Sequence, residues 1–288
     1  MVVKTLCSSH RSTKMKIALV SDLHQNFYKD KFIFRVSDHS EELADVDVLI
    51  NAGDINHGFD HAIEDNNDIE EDFKTVNKNG VYFKVFGNHD FMMNPRKLKS
   101  EIYLNRISNI GLEKRPIQSV NQRFVKVLEG VTIIGCTLWT PVKNHLIPNF
   151  SDYVYVPEFN SQLTSGGIEN RNKAYDLDWH WLMRQIKVSK EENPDNKIIV
   201  VTHHVPLHEL ACKGPGIDNF YDPYFVNVDF RANNRILGMN KLIDVWCCGH
   251  THYFFDRTIN DIRFVCNPRG YPEERTDIKT FKPYIFEV

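Results

Sequence analysis

Five short apolar runs along the chain each stop at a cluster of polar residues. "KIALVS" leads into Asp22-Leu23-His24, "VDVLINAG" into Asp54, and "VYFKVFG" into Asn88-His89-Asp90. Further on, "KIIVVT" leads into His203-His204 and "DVWCCG" into His250-Thr251-His252. Such brief runs, rich in β-branched residues, predict strands buried on both faces. Helices are predicted between them over about 60–79 and over 175–193, the second stopped by Pro194. Strand and helix in alternation predict an α/β core, in which ligands gather beyond the carboxyl ends of the strands. Five strands that end in polar clusters therefore point to one shared site.

Two other stretches read as purely β. Residues 123–139 predict a pair of strands joined at Glu129-Gly130, and residues 253–266 a hairpin turning at Asn260-Asp261. They imply a second sheet packed on the first. Residues 140–175 and 205–230 look like insertions, rich in Pro, Asn, Gly and aromatics, and loops of that length often lie over active sites. The acidic run at 60–72 predicts the solvated face of a helix. Residues 1–14 read as a loosely held extension ahead of a single domain spanning 15–288.

Composition changes this picture little. The chain has 288 residues, 42% hydrophobic and 25% charged, with a formal net charge of −3. That balance disfavours an electrostatic grip on extended nucleic acid, yet bound dications would reverse the sign locally for a small anion. No stretch approaches the roughly 18 apolar residues of a membrane span. The six cysteines form no CxxC pair, so they read as buried thiols of a reducing, cytoplasmic compartment.

The ordered set D-x-H, G-D, G-N-H-D, H-H and G-H-T-H, from residue 22 to residue 252, resembles the calcineurin-like metallophosphoesterase superfamily. The resemblance implies a four-layer αββα sandwich, two mixed sheets flanked by helices. It also implies a dinuclear centre: Asp22, His24 and His252 on one ion, Asn88, His203 and His250 on the other, with Asp54 bridging. A donor set that mixes carboxylate with imidazole suits manganese, the first expectation, or iron, zinc or nickel better than magnesium or calcium. Two dications in such a site would acidify a shared water and clamp the phosphoryl oxygens during in-line displacement. His89 is not a ligand in this pattern. It is expected to stabilise transition-state charge or protonate the leaving oxygen, with Asp90 orienting its ring.

Within the superfamily, "GDINHGFD" and "GNHD" differ from the G-D-x-x-D-R-G and G-N-H-E of protein phosphatases. The expected substrate is a phosphodiester, nucleotide or small phosphomonoester. A nuclease and a non-catalytic scaffold stand as alternatives. Trp139, Tyr153, Tyr155, Phe159, Tyr221, Tyr224 and Phe225 are candidates to stack on a nucleobase, and Asn26, Arg96 and Arg269 to reach a phosphate.

Overall fold

The computed structural model describes residues 14–29, 32–100, 120, 122–142, 150–210, 222–274 and 280–288. Among the described residues, ten strands form two sheets. The first has the order β10-β1-β2-β3, built from β1 (Lys16–Val20), β2 (Val48–Asn51), β3 (Val81–Lys84) and β10 (Tyr284–Glu287). The second has the order β4-β5-β6-β7-β9-β8. Its strands are β4 (Arg123–Leu128), β5 (Val131–Cys136), β6 (Lys197–Thr202), β7 (Val245–Cys248), β8 (Phe255–Ile259) and β9 (Ile262–Cys266). Both sheets are mixed: β1, β2 and β3 run parallel, as do β5, β6, β7 and β9, while β10, β4 and β8 pair antiparallel at the edges.

Side-chain alternation explains the unbroken apolar runs. Ile17, Leu19, Val48, Ile50, Ile133, Ile199, Val201 and Val265 meet in the layer between the two sheets. Their neighbours in sequence, Ala18, Val20, Leu49, Ile134, Ile198, Val200 and Phe264, turn outward to a second core that includes helix residues. Nearly every position on these strands therefore leaves water, with Lys197 exposed and Lys16 and Arg263 partly so, and each buried Val, Ile or Leu contributes roughly 1.5–3 kcal/mol. Outside the sheets lie α2 (Phe59–Val76), with Ile69 and Phe73 facing inward, and α4 (Gly167–Glu192), with Leu182, Met183 and Ile186 facing inward. Shorter helices are α1 (Ser40–Leu43), α3 (Ser151–Tyr155), α5 (Asp222–Phe225) and α6 (Phe230–Leu237). This is the expected four-layer arrangement.

Both predicted hairpins form, at Glu129-Gly130 and at Asn260-Asp261, where the two turn residues have φ 47° and 64°. One expectation needs correction. The helix predicted from residue 175 begins at Gly167, eight residues earlier, so much of the supposed 140–175 insertion is structure. Its first turns bury Asn170 and Arg171 rather than apolar side chains, which hides the helical period. The acidic face of α2 is solvated, with Glu64, Asn67, Asp68 and Glu71 outward. Residues 1–13 of the predicted extension lie outside the described residues.

Candidate metal centre

The carboxyl ends of β1, β2, β3, β6 and β7 converge on one edge of the sandwich, where the two sheets meet. Asp22 N donates to the Gly53 carbonyl at 2.8 Å, and His24 N to Asp54 O at 3.0 Å. From the other sheet, His250 N donates to Asp22 Oδ1 at 2.9 Å, and Gly249 N to His203 O at 2.9 Å. The turns are tight. Asp22, His24, Asp54, His250 and His252 all have positive φ, between 45° and 72°. Non-glycine residues seldom adopt this left-handed conformation, and it gathers at functional sites held in place by their surroundings. The glycines of the motifs serve close approach: a Cβ on Gly87 would lie 2.1 Å from Asp54 Oδ1, and one on Gly249 2.6 Å from Asp22 Oδ2.

Two groups of donors result, Asp22, His24 and His252 in one and Asp54, His203 and His250 in the other. Within the first, His24 Nε2 lies 3.0 Å from His252 Nε2, and His252 Nε2 lies 3.5 Å from Asp22 Oδ1. In the second, His203 Nε2 lies 3.1 Å from His250 Nδ1, 3.0 Å from Asn88 Oδ1 and 3.3 Å from Asp54 Oδ2. Asp54 Oδ2 also stands 4.0 Å from His24 Nε2, so this carboxylate faces both groups. Nitrogens about 2.1 Å from one ion and at right angles around it would sit about 3.0 Å apart. The donor spacing fits a cation in each group.

The partners on the far side of each ligand strengthen that fit. His203 Nδ1 is 2.9 Å from the Ala52 carbonyl, His250 Nε2 3.0 Å from the Tyr224 carbonyl, and His252 Nδ1 2.6 Å from Glu274 Oε2. Each contact holds the N–H on the outer nitrogen and leaves a lone pair pointing inward. Asn88 Nδ2 donates to Asp152 Oδ1 at 2.9 Å, which turns its oxygen to the site. Asp152 is in turn ion-paired with Arg171, both side chains fully buried.

Electrostatics match a site built for cations. Burial alone would raise the Asp22 carboxyl, but His252 beside it brings it down to about 2. His252 is raised to about 10, burial being outweighed by Asp22 and Glu274, and His203 to about 9, burial being outweighed by Asp54. Burial and the neighbouring His203 push His250 down to about 3. The carboxylates thus draw positive charge onto one imidazole of each group, His252 and His203, and an incoming cation would displace a proton there.

His89 stands beside both groups: its backbone N donates to Asp54 Oδ1 at 2.8 Å and its ring is 4.8 Å from that of His24. The expected contact with Asp90 does not form. Asp90 instead accepts from the backbone N–H groups of Asp54, Ile55, Asn56 and Gly87, at 2.7–3.2 Å, and so fixes the loop that carries Asp54. Burial and the nearby Asp54 charge push the Asp90 carboxyl up to about 7. The partner of His89 is Tyr271, whose hydroxyl lies 2.9 Å from Nε2.

Other candidates fall elsewhere. Trp139, Tyr153, Phe159 and Tyr224 are core residues that offer no stacking surface, and Tyr155 packs half-buried against the same core, as does Phe225, whose ring also lies 5.1 Å from that of His250. Tyr221 lies outside the described residues. Arg269 is buried with its guanidinium over the Tyr28 ring and donates to the Phe32 carbonyl, while Asn26 and Arg96 are exposed outside the donor groups. His204 packs on His250, ring centroids 4.2 Å apart. Tyr271, Glu274, Asp152 and Arg171 were not singled out as site residues.

Two packed mixed sheets with a carboxylate–imidazole–amide cluster at the shared strand ends define a metallophosphoesterase fold. The sequence matches the calcineurin-like phosphoesterases over residues 15–254, and the chain belongs to that family. An uncharacterised protein of Acanthamoeba polyphaga mimivirus is 26% identical over 283 residues, covering 93% of this chain and 94% of its own. Among solved structures, the phosphopantetheinyl hydrolase PptH of Mycobacterium tuberculosis has the same fold, with a TM-score of 0.59 at 14% identity over 96% of both chains. A dimetal phosphatase from Danio rerio is similar at a TM-score of 0.45 and 13% identity, over 88% of this chain and 86% of its own. Among the described residues, no helix is long and apolar enough to cross a membrane.

Proposed function

We propose that the protein is a phosphoester hydrolase working with two divalent transition-metal ions, manganese foremost, on a phosphodiester, nucleotide or small phosphomonoester. The observation that carries this reading is Asp54, whose Oδ2 faces His24 of one donor group and His203 of the other. A carboxylate so placed is what a pair of adjacent cations requires. Asp22, His24 and His252 would hold one ion, Asn88, His203 and His250 the second, with Asp54 shared. When bound, such ions supply Lewis acidity to the phosphoryl oxygens and bring the pKa of water down to roughly 7.

The chain's own residues do the rest. His89 stands beside both donor groups and would hand its ring proton to the leaving oxygen as the phosphorus–oxygen bond breaks. Glu274, the Ala52 carbonyl and the Tyr224 carbonyl keep His252, His203 and His250 in one orientation each. Asp90 holds the Asp54 loop through three backbone N–H groups, those of Asp54, Ile55 and Asn56, and its own turn through Gly87 N. The four cysteines among the described residues are free and buried, in keeping with a cytoplasmic setting.

The test is direct. Metal content by mass spectrometry should approach two equivalents after manganese loading. Hydrolysis of bis-p-nitrophenyl phosphate should be compared with the monoester, then with 2′,3′- and 3′,5′-cyclic nucleotides. Two bound metals with no turnover of any of these esters would overturn the catalytic reading.

A further inference from the structure

The strand β9 leaves the second sheet at Cys266 and the chain crosses to the first, where Pro268 bridges to Ser21. Arg269 N donates to Ser21 O at 2.9 Å and Gly270 N to Asp22 O at 3.0 Å, while the Tyr28 hydroxyl donates to Gly270 O at 2.8 Å. Gly270 has φ 75°, and a Cβ there would lie 2.7 Å from Glu274 Oε2. The segment is therefore pinned by its backbone to the loop that carries Asp22, and its next side chain is delivered into the donor cluster.

That side chain is Tyr271. Its ring stacks on His24, centroids 4.4 Å apart at 29°, and stands edge-on to His252 at 4.8 Å and to Phe27 at 5.1 Å. Its backbone N donates to Glu274 Oε2 at 2.8 Å, the carboxylate oxygen that also meets His252 Nδ1. Four contacts thus fix the phenol, and its oxygen ends 2.9 Å from His89 Nε2. The opposite nitrogen, His89 Nδ1, is buried with no hydrogen-bond partner among the described residues. An imidazole needs a partner on one nitrogen to fix which of the two carries the proton and how the ring is turned. Asp90 does not provide that partner, so the task falls to Tyr271.

We propose that Tyr271 is the positioning residue of His89, its hydroxyl fixing the rotation and tautomer of the imidazole that faces the phosphoester. For its catalytic consequence this rests on the hydrolase reading above. The geometric part does not: Tyr271 orders His89 whatever the substrate. A phenol hydroxyl can donate to the imidazole or accept from it.

Tyr271→Phe removes one oxygen and keeps the ring that covers His24. On the phosphoester that the manganese-loaded protein turns over, kcat should fall about five- to tenfold, the scale of one hydrogen bond, with KM within about twofold and two metals retained. In a His89→Ala background the same change should cost nothing further, since residues that act through one another are non-additive. Side-chain ¹⁵N spectra of metal-free protein give the second readout: the His89 nitrogens should shift toward a mixture of tautomers in Tyr271→Phe. Equal losses with and without His89, or unchanged His89 nitrogen shifts, would overturn the proposal. If the wild-type protein hydrolyses nothing, the hydrolase reading fails, and the nitrogen shifts alone still decide whether Tyr271 positions His89.

Discussion

The side-chain amide of Asn88 donates to Asp152 Oδ1 at 2.9 Å, and the same carboxylate is ion-paired with Arg171 in the core. A strand-end donor is thereby braced by α3 and the first turns of α4, stretches that the sequence places in the 140–175 insertion. Arg171 also donates to Thr140 Oγ1 at 3.0 Å and lies over the Trp139 ring. Removing one partner of a buried ion pair costs about 3–5 kcal/mol because the other is left as an uncompensated charge, whereas a well-packed apolar replacement of both is often neutral. Asp152→Ala should therefore lower denaturant stability by that amount and weaken the second metal about 10–100-fold. Asp152→Leu with Arg171→Met should regain the stability and not the metal affinity. Denaturant midpoints and metal titration separate the two, and recovery of both together would show that Asp152 does not orient Asn88.

His89 meets the Asp54 carboxylate through its backbone N, and its ring stands 4.8 Å from that of His24 with the Tyr271 hydroxyl at Nε2. Its replacement by Ala is expected to lower kcat about 10²–10⁴-fold, the range for general acid catalysis. Metal content should stay at two equivalents, since His89 belongs to neither donor group. Parallel loss of metals and activity would place it among the ligands instead.

The donor cluster was legible because its chemistry sits at strand ends. Asp22, Asp54, Asn88, His203 and His250 follow apolar runs whose period and composition mark buried strands. What supports the cluster was not legible. Asp152 and Glu274 act through single long-range contacts, 64 and 22 residues distant in sequence from the ligands they brace, and no local period records such pairs. The first turns of α4 were missed for a related reason: Arg171 and Asn170 are buried there for their hydrogen bonds, so the face that leaves water is polar. Adjacency also misled. Asp90 follows His89 in sequence, but the chain enters a short 3₁₀ turn at His89–Phe91 and the Asp90 carboxylate points back to the Asp54 loop.

Gly87 is a steric requirement of the site. A methyl group there would overlap Asp54 Oδ1 at 2.1 Å and His203 Cε1 at 2.6 Å, so Gly87→Ala must push the Asp54 carboxylate away. We expect fewer than two metal equivalents and loss of activity. Gly130 provides the control. It has φ 76° with nothing within 4 Å of a Cβ, so Gly130→Ala should cost about 1–2 kcal/mol of backbone strain and leave metal content unchanged. If the two variants lost metal equally, crowding at Asp54 would not be the cause.

Far from the site, one polar clasp joins the two sheets. Arg263 on β9 grips Asp256 on β8 through two bonds, Nε to Oδ1 at 2.9 Å and Nη2 to Oδ2 at 2.7 Å, and the Tyr284 hydroxyl of β10 donates to the same carboxylate at 2.7 Å. The Arg263 hydrogen bonds hold the Asp256 carboxyl below its ordinary value, burial opposing and Tyr284 assisting. A depressed folded pKa means that the unfolded chain binds the proton more readily. Its stabilisation is therefore complete above the unfolded value of about 3.9, and is lost as the pH falls through the folded one. Asp256→Asn should consequently lower the urea midpoint near pH 6, and the gap to wild type should narrow below roughly pH 4. The clasp is only partly buried, so solvent screening keeps the effect small. Comparing the two proteins cancels the titration of the metal ligands, which both share. A gap that stays constant from pH 6 to pH 3 would mean that the Asp256 charge does not help to join the sheets.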